Sequence, residues 1–474
     1  DRRTPERQAR PWSGLVAAAA GAILGVAVFW LMRRVMTDDA YIAMDYARQL
    51  GLHGSWGMVD GLGSNTATSP LSILLLGALT AILRDPVWAV GALLIAGMAV
   101  SGWWLHGIAA ALHLGRWVFP PLALAVLAVN PLLMSAMGLE SHLAVALLVG
   151  AGWAVVTRRP AALGVLAGLL ILTRPDLGPA ALVAVLCLPG GRWRAFGAAV
   201  AVTVPWFAWS WWFLGSAVPD TIVIKGPESW GGTSFWNSLP HYYSILPAAI
   251  ALSVLPAAVG VLALAWWWRE RLAWVWAGAA AVHYATMSLL HPGPFFWHTT
   301  FFLSGLSLLG TAAICRYWAR RGLLPGLLLT GAAAYVLVTA VSSVNDGLPR
   351  DRFAPVSFNW GSPAQYQAIA ETIPAGTTVQ SPGEIGTLAY YCDCRVVDQF
   401  ADRGQFTPLL DKRLATAGPV TRQLLEWNYH RFDRPAPARL DYRIQARMVP
   451  PGEPAQMTSL FTRYGRQVTI TPVG

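Results

Sequence analysis

Two adjacent carboxylates, Asp38 and Asp39, follow the first hydrophobic segment of the sequence. Acidic groups are costly inside a bilayer, so a pair at a membrane face indicates a function. A carboxylate can accept a proton from an acceptor hydroxyl, and two neighbouring acids can divide the roles of base and ligand. We therefore predict that this pair is catalytic, with a solvated loop start as the alternative.

Basic residues near the predicted outer face suit a phosphate leaving group, because arginine offers a two-pronged donor and lysine a point charge. We assign this role to Lys225, Arg174, Arg33 and Arg34. Each has a plainer alternative. Lys225 could extend along the membrane interface, Arg174 could pair internally with Asp176, and the two remaining arginines could bind lipid headgroups.

Other polar residues fall on the same predicted side and suit hydrogen bonds to sugar or acceptor hydroxyls. They are Tyr41, Asn65, Thr68, Glu140, Asp176, His291 and His298. The two histidines match no metal-ligand spacing, so we expect no metal and no other cofactor. The sequence has no Walker-type or G-x-G-x-x-G motif for nucleotide phosphates. These observations favour a lipid-linked sugar phosphate as the activated substrate.

The composition is that of a polytopic α-helical membrane protein. Of 474 residues, 55% are hydrophobic and 12% charged. Hydropathy and charge predict about eleven transmembrane helices, with the arginines Arg2, Arg3, Arg7 and Arg10 in the cytoplasm. The formal charge of +10 then reflects cytoplasmic loops and membrane lipids rather than nucleic acid, which we exclude as a partner.

Several segments are irregular. Residues 40–50 have apolar side chains at four-residue spacing, which predicts an amphipathic helix that either lies along the interface or packs onto the bundle. Asn130-Pro131 predicts a break in a re-entrant or interfacial segment. Residues 161–172 and 177–188 are short for full crossings, and a broken hairpin beside a cavity is the alternative.

The composition changes at residue 345, which divides the chain into a transmembrane catalytic domain, 1–344, and a C-terminal domain, 345–474. Parity places the second domain outside the cytoplasm. Helices at 364–373 and 384–391 with strands at 377–380 and 395–398 predict a small α/β unit. Cys392 and Cys394 are spaced for neither zinc nor a secreted framework, although an oxidising compartment would allow them to bridge.

The order of short motifs along the chain resembles the bacterial GT-C fold glycosyltransferases that use polyprenyl-phosphate sugars. Within this group the sequence is most similar to arabinofuranosyltransferase-like members, related to mycobacterial terminal arabinofuranosyltransferases and pilin arabinosyltransferases. The motifs are Asp38-Asp39-Ala40-Tyr41-Ile42, Thr68-Ser69-Pro70-Leu71, Gly138-Leu139-Glu140, Arg174-Pro175-Asp176, Pro219-Asp220-Thr221 with Lys225, and Gly383-Glu384-Ile385-Gly386-Thr387.

The resemblance implies that an acid of the first external loop, Asp38 or Asp39, is the base, and that Lys225 and Arg174 bind the lipid phosphate. Position 220 departs from the pattern, in which asparagine precedes the threonine. The predicted function is transfer of D-arabinofuranose from a polyprenyl-phosphate donor to a glycan, glycolipid or protein acceptor, outside the bacterial plasma membrane. The alternatives are a mannosyl or hexosyl transferase of the same fold, a lipid-linked-sugar transporter or flippase, and a non-enzymatic assembly subunit.

Overall fold

The computed structural model describes residues 11–225, 234–318, 323–344, 353–460, 462 and 464–473. The four N-terminal arginines and the predicted domain boundary at residue 345 lie outside these ranges. The helices before this boundary are α1 (Pro11–Met32), α2 (Asp38–Arg48), α3 (Pro70–Leu83), α4 (Pro86–Leu112), α5 (Phe119–Val129), α6 (Pro131–Ser135), α7 (Ser141–Val156), α8 (Pro160–Thr173), α9 (Gly178–Leu186), α10 (Arg192–Phe213), α11 (Thr221–Ile224), α12 (Ser238–Ile245), α13 (Pro247–Trp267), α14 (Arg271–Ala273), α15 (Ala279–Leu290), α16 (Thr300–Trp318) and α17 (Leu323–Val344).

Long apolar helices identify the chain as a multi-pass membrane protein. Four segments among the described residues are long and apolar enough to cross a bilayer: Trp12–Met32, Pro86–Leu112, Pro247–Trp267 and Phe296–Trp318. Six shorter apolar helices accompany them: Pro70–Leu83, Phe119–Val129, Ser141–Val156, Pro160–Thr173, Pro175–Leu186 and Gly326–Ser342. The number of crossings, predicted as eleven, stays a prediction because length and composition alone do not settle it.

The predicted break at Asn130-Pro131 is confirmed, since α5 ends at Val129 and α6 begins at Pro131. The Asn130 side chain caps the second helix by accepting from the Leu133 N–H at 3.2 Å. Beyond α6 the chain turns at Gly138, whose φ is 89°. A Cβ there would lie 2.7 Å from the Cβ of Ala40, so glycine lets the segment before Glu140 approach α2 closely.

Helix α2 is packed inside the protein, so the interfacial interpretation of residues 40–50 is wrong and the packing alternative holds. Seven of its residues are buried between α3 and a helix of the C-terminal part of the chain, α19 (Gly386–Tyr391). The described residues from 353 onward are called the tail below. Its first turn is capped by the tail, because the Asn359 Oδ1 accepts from the Thr37 hydroxyl at 3.0 Å and from the Asp38 N–H at 3.1 Å.

The tail folds as the predicted α/β unit with additional strands. Its other elements are α18 (Pro363–Ala370), β1 (Thr378–Gln380), β2 (Arg395–Val397), α20 (Arg403–Thr416), α21 (Pro419–Asn428), β3 (Tyr442–Val449), β4 (Met457–Thr458) and β5 (Gly465–Pro472). The sheet order is β2-β1-β3-β5-β4, with β1 parallel to β2 and β3 and the remaining pairs antiparallel. Cys392 and Cys394 form a disulfide between α19 and β2.

The tail and the first loop share one apolar core. Val379, Leu388 and Val396 of the tail belong to the same buried cluster as Tyr46 and Ile73 of the membrane part. The segment after α2 is therefore positioned as much by the tail as by the membrane helices. This shared core connects the tail to α2, the helix that begins with the predicted acids.

Candidate active site

Two cavities meet at Asp39. The polar cavity, about 90 Å³, is lined by hydroxyls of the 66–69 segment together with Glu140, Arg174 and His298. The aromatic cavity, about 450 Å³, lies toward the tail and is lined by rings and acids that include Phe358, Trp360 and Glu384. Both cavities share the side chains of Asp39, Ile42, Lys225, Trp297 and Phe400.

The centre of this junction is an ion pair between Asp39 and Lys225. The Lys225 Nζ donates to the Asp39 Oδ2 at 2.7 Å, and each side chain is about one quarter exposed. The ammonium also lies 5.1 Å from the ring centroid of Phe295 and 5.5 Å from that of Phe400. A carboxylate and a lysine amine thus lie in contact at a partly exposed position that both cavities share.

Asp38 has a different environment, although it also lines the aromatic cavity. Consecutive residues of an α-helix point about 100° apart, so the two acids diverge. The Asp38 carboxylate accepts from the N–H groups of Gly386 at 3.2 Å and Thr387 at 2.7 Å, where α19 begins. Burial raises the pKa of Asp38 above its usual range, and these donors offset only part of the rise. Asp38 thereby ties α2 to the tail.

Arg174 is held by two acids at the break between α8 and a short 3₁₀ turn, Pro175–Leu177. Its Nε donates to both oxygens of Asp176, at 3.0 and 3.3 Å, and its Nη1 donates to Glu140 at 3.1 Å. The His283 Nε2 lies 3.5 Å from the Asp176 Oδ2. Within the described residues neither acid accepts from Nη2, and the Arg174 side chain lines the polar cavity.

Some predicted site residues line the polar cavity and others do not. Thr68, Glu140 and His298 line it, as do the basic residues Arg174 and Lys225. The predicted ligands Arg33, Arg34, Tyr41, Asn65, Asp176 and His291 lie outside both cavities.

Three of the residues outside the cavities contact other groups of the protein. The Asn65 amide donates to the Ser210 hydroxyl at 3.2 Å and to the Ser216 carbonyl at 3.0 Å. Tyr41 packs on the rings of Tyr390 and Tyr391. The Arg33 guanidinium covers the ring of Trp30 at 3.7 Å.

Two more predicted ligands lie at exposed positions away from the cavities. Arg34 is exposed beyond the end of α1, and His291 is exposed in a left-handed conformation at the end of α15. These two residues, with Arg33, Tyr41 and Asn65, therefore lie apart from the acids and cations that line the two cavities, whereas Asp176 contacts Arg174, which lines the polar cavity.

Residue types alone did not assign a role to Glu384, which lies in the tail motif Gly383-Glu384-Ile385. Its carboxylate accepts from the Trp360 N–H at 2.9 Å and from the Tyr366 hydroxyl, and it lines the aromatic cavity. Burial, followed by the nearby Asp38, raises the pKa of Glu384 well above its usual range. The motif indicated the tail domain, but the position of this acid depends on tertiary packing.

Position 220, where the family pattern has asparagine, holds an aspartate that pairs with Arg403. The Asp220 side chain is fully buried and accepts from the Arg403 Nε at 2.8 Å and Nη2 at 2.9 Å. The same guanidinium donates to the Ser216 hydroxyl at 2.8 Å. This two-pronged pair joins the tail to the segment that leads into Lys225, and asparagine would leave the arginine charge without a counter-ion.

The described residues contain no group of three or more His, Cys, Asp or Glu side chains arranged to hold a metal ion. Lys225 brings positive charge to both cavities, and Arg174 brings it to the polar cavity.

The buried carboxyl of Asp398, close to the aromatic cavity, is expected to make the stability of the folded protein depend on pH. Its carboxylate accepts from the Phe400 N–H at 2.7 Å, and burial raises its pKa from 3.8 to about 7. The protonated acid therefore adds stability that is complete below about pH 4 and is lost as the pH rises through about 7. We expect denaturation midpoints across this range to fall more steeply for the wild type than for Asp398→Asn. Parallel curves would contradict this.

The sequence matches no protein-family model and no curated protein. Among solved structures, the chain is similar to ArnT from Cupriavidus metallidurans bound to undecaprenyl phosphate, with a TM-score of 0.57 and 15% identity over 97% of this chain and 98% of that chain. The apo form of ArnT gives a TM-score of 0.55 and 16% identity over 91% and 92%.

The chain is also similar to the arabinofuranosyltransferase AftD from Mycobacteria, with a TM-score of 0.52 and 16% identity. This match covers 94% of the present chain but 36% of AftD. At such identities the likeness establishes the fold. The predicted GT-C fold is thus confirmed, whereas a fold by itself does not define a substrate.

Proposed function

We propose that the protein is a membrane glycosyltransferase that moves a sugar from a polyprenyl-phosphate donor to an acceptor hydroxyl. The observation that carries this proposal is the Asp39–Lys225 pair, 2.7 Å apart where two cavities meet. The pair joins a base for the acceptor proton to a cation for the departing phosphate. The shared fold supports it, because one structural neighbour is bound to undecaprenyl phosphate and another is an arabinofuranosyltransferase.

In the proposed step the acceptor oxygen attacks the anomeric carbon of the donor sugar. The bond from that carbon to the phosphate oxygen breaks, and the polyprenyl phosphate leaves with the electron pair. Asp39 takes the proton from the acceptor hydroxyl. Lys225 and the free Nη2 of Arg174 stabilise the charge that develops on the phosphate.

Lys225 must change partners during this cycle. A base that is bound to an ammonium is a poor proton acceptor, because the ion pair stabilises its ionised form. A donor phosphate that binds Lys225 competes with Asp39 for the same ammonium. Arrival of the donor therefore frees the carboxylate when a substrate is present to use it.

For the donor sugar we propose D-arabinofuranose, with a glycan, glycolipid or protein as the acceptor. The resemblance of the motifs to arabinofuranosyltransferase-like members supports this choice, as does the fold shared with AftD. Thr68, an exposed residue that lines the cavity of about 90 Å³, offers a hydroxyl for a hydrogen bond to a sugar ring.

We also propose that the site and residues 345–474 face the outside of a bacterial plasma membrane, with residues 1–344 as the transmembrane part. The Cys392–Cys394 disulfide supports an oxidising compartment for the tail. Arginine-bearing loops meet at another end of the bundle, where Arg316 pairs with Glu270 at 3.0 Å and Arg271 donates to the Cys187 carbonyl at 3.3 Å. Such loops favour the cytoplasm.

The proposal is tested with purified protein and synthetic polyprenyl-phosphate donors that carry arabinofuranose or mannose. We expect release of polyprenyl phosphate from the arabinofuranosyl donor, and faster release with a saccharide acceptor. A preference for the mannosyl donor would favour the hexosyl alternative. Movement of intact donor across vesicle membranes without cleavage would favour a flippase.

Lys225→Gln is expected to weaken donor binding about 10- to 150-fold, because a hydrogen bond to a charged group contributes about 1.5–3 kcal/mol. Binding can be measured by titration of polyprenyl phosphate into the detergent-solubilised protein. Lys412→Gln is the matched control, since Lys412 is the other lysine of the chain and is exposed on α20. Equal affinities for the two variants would remove the phosphate role of Lys225.

A further inference from the structure

Helix α21 carries an apolar stripe on its exposed side. Val420, Leu424 and Trp427 are 75%, 56% and 64% exposed. At 100° per residue these three side chains fall within an arc of about 60°. The helix packs onto the protein through another side, where Leu425 joins a buried cluster with Phe406 and Leu410 of α20. The three side chains of the stripe therefore remain exposed on the surface of the protein.

The stripe lies beside the end of α10, a helix with many exposed apolar side chains. The Trp211 Nε1, near the end of α10, donates to the Trp427 carbonyl at 3.0 Å. The Arg431 guanidinium covers the neighbouring Trp212 ring at 3.7 Å. α10 exposes large apolar side chains along its length: Trp193, Phe196, Val200, Val204, Trp209, Trp212 and Phe213. The α21 stripe thus lies next to a further set of exposed apolar side chains, as expected for a surface that contacts lipid in a membrane protein.

We infer that α21 lies in the interfacial layer of the bilayer and inserts Val420, Leu424 and Trp427 among the lipids. Amphipathic helices adopt this position when one face is apolar and the other is polar. Tryptophan is enriched at the same depth, and the arginine beside Trp212 can reach lipid phosphates. Arg422 and Glu426 fall on other sides of the helix, which suits a polar face in water.

Contact of α21 with the bilayer also affects the segment that carries Lys225. The cluster under α21 includes Ile224, the residue before Lys225, and Arg403 of α20 binds Asp220. The α20–α21 pair therefore connects the membrane surface to both ends of α11. Insertion of α21 sets the height of that segment relative to the lipid.

Site-directed spin labelling can test the inference on the full chain. Val420→Cys, Leu424→Cys and the control Glu426→Cys are each labelled with a nitroxide in a background where Cys187 and Cys315 are serine. The Cys392–Cys394 disulfide stays intact without reductant. All three labelled positions are exposed, so the label disturbs no core contact. The proteins are reconstituted into vesicles of phosphatidylcholine and phosphatidylglycerol, and collisions with oxygen and with a water-soluble nickel chelate are compared.

Oxygen concentrates in the bilayer and the nickel chelate stays in water. We expect the oxygen-to-nickel collision ratio at 420 and 424 to exceed that at 426 several-fold. Similar nickel accessibility at all three positions would place α21 in water and overturn the inference. Protection of 420 and 424 from both reagents would also overturn it, because the stripe would then be covered by protein such as a second copy of the chain.

Discussion

Asp39→Asn is expected to lower sugar transfer by about 10²- to 10⁴-fold, the usual contribution of a general base. The amide keeps the size of the side chain but cannot take the acceptor proton. Donor binding should be preserved or tighter, because Lys225 no longer shares its charge with a carboxylate at 2.7 Å. Turnover and polyprenyl-phosphate affinity, measured on the same preparation, separate the two effects.

Two further variants make this prediction specific. Asp60→Asn changes an exposed acid later in the first loop and should leave turnover unchanged. Asp38→Asn should act mainly on stability, since Asp38 accepts two backbone N–H groups of the tail. If Asp39→Asn kept wild-type turnover while a stably folded Asp38→Asn lost it, the roles of the two acids would be reversed.

Arg403→Leu is expected to destabilise the protein by about 3–5 kcal/mol, because it leaves Asp220 as an unpaired buried charge. Asp220 has no exposed surface, and both of its oxygens accept from this arginine. Chemical denaturation in detergent measures the change. Transfer activity should fall with it, because the segment that leads into Lys225 loses its connection to the tail.

The control for this variant is an exposed pair in the same region. Arg434 and Asp411 are 2.8 Å apart, and both side chains are half exposed. Arg434→Leu should cost at most about 1 kcal/mol, as exposed ion pairs usually do. Equal losses for the two variants would show that the Asp220–Arg403 pair is not a structural link.

Local sequence was sufficient to predict those structural features that neighbouring residues determine. Asn130-Pro131 predicted the helix break between α5 and α6, and the strands predicted at 377–380 and 395–398 correspond to β1 and β2. The type and order of short motifs predicted the GT-C fold. β3 was missed although Arg443, Gln445 and Arg447 alternate with the apolar residues Tyr442, Ile444 and Ala446, which is the pattern of a half-buried strand.

The candidate site depends on contacts that local patterns do not contain. Asp38 differs from Asp39 because Gly386 and Thr387, about 350 positions away, donate to it. Asn65 is a structural residue because Ser216 accepts from its amide. The aspartate at position 220 is explained by Arg403, whose guanidinium donates to it. Each distinction required the tail to be placed against the first loop.

The most direct test is a density map of Asp39→Asn bound to synthetic polyprenyl-phosphate arabinofuranose, since this variant should bind the donor without consuming it. We predict a phosphate oxygen about 2.7–2.9 Å from the Lys225 Nζ, with the anomeric carbon facing residue 39. A donor phosphate bound away from Lys225, with its sugar in neither cavity, would contradict the proposed reaction.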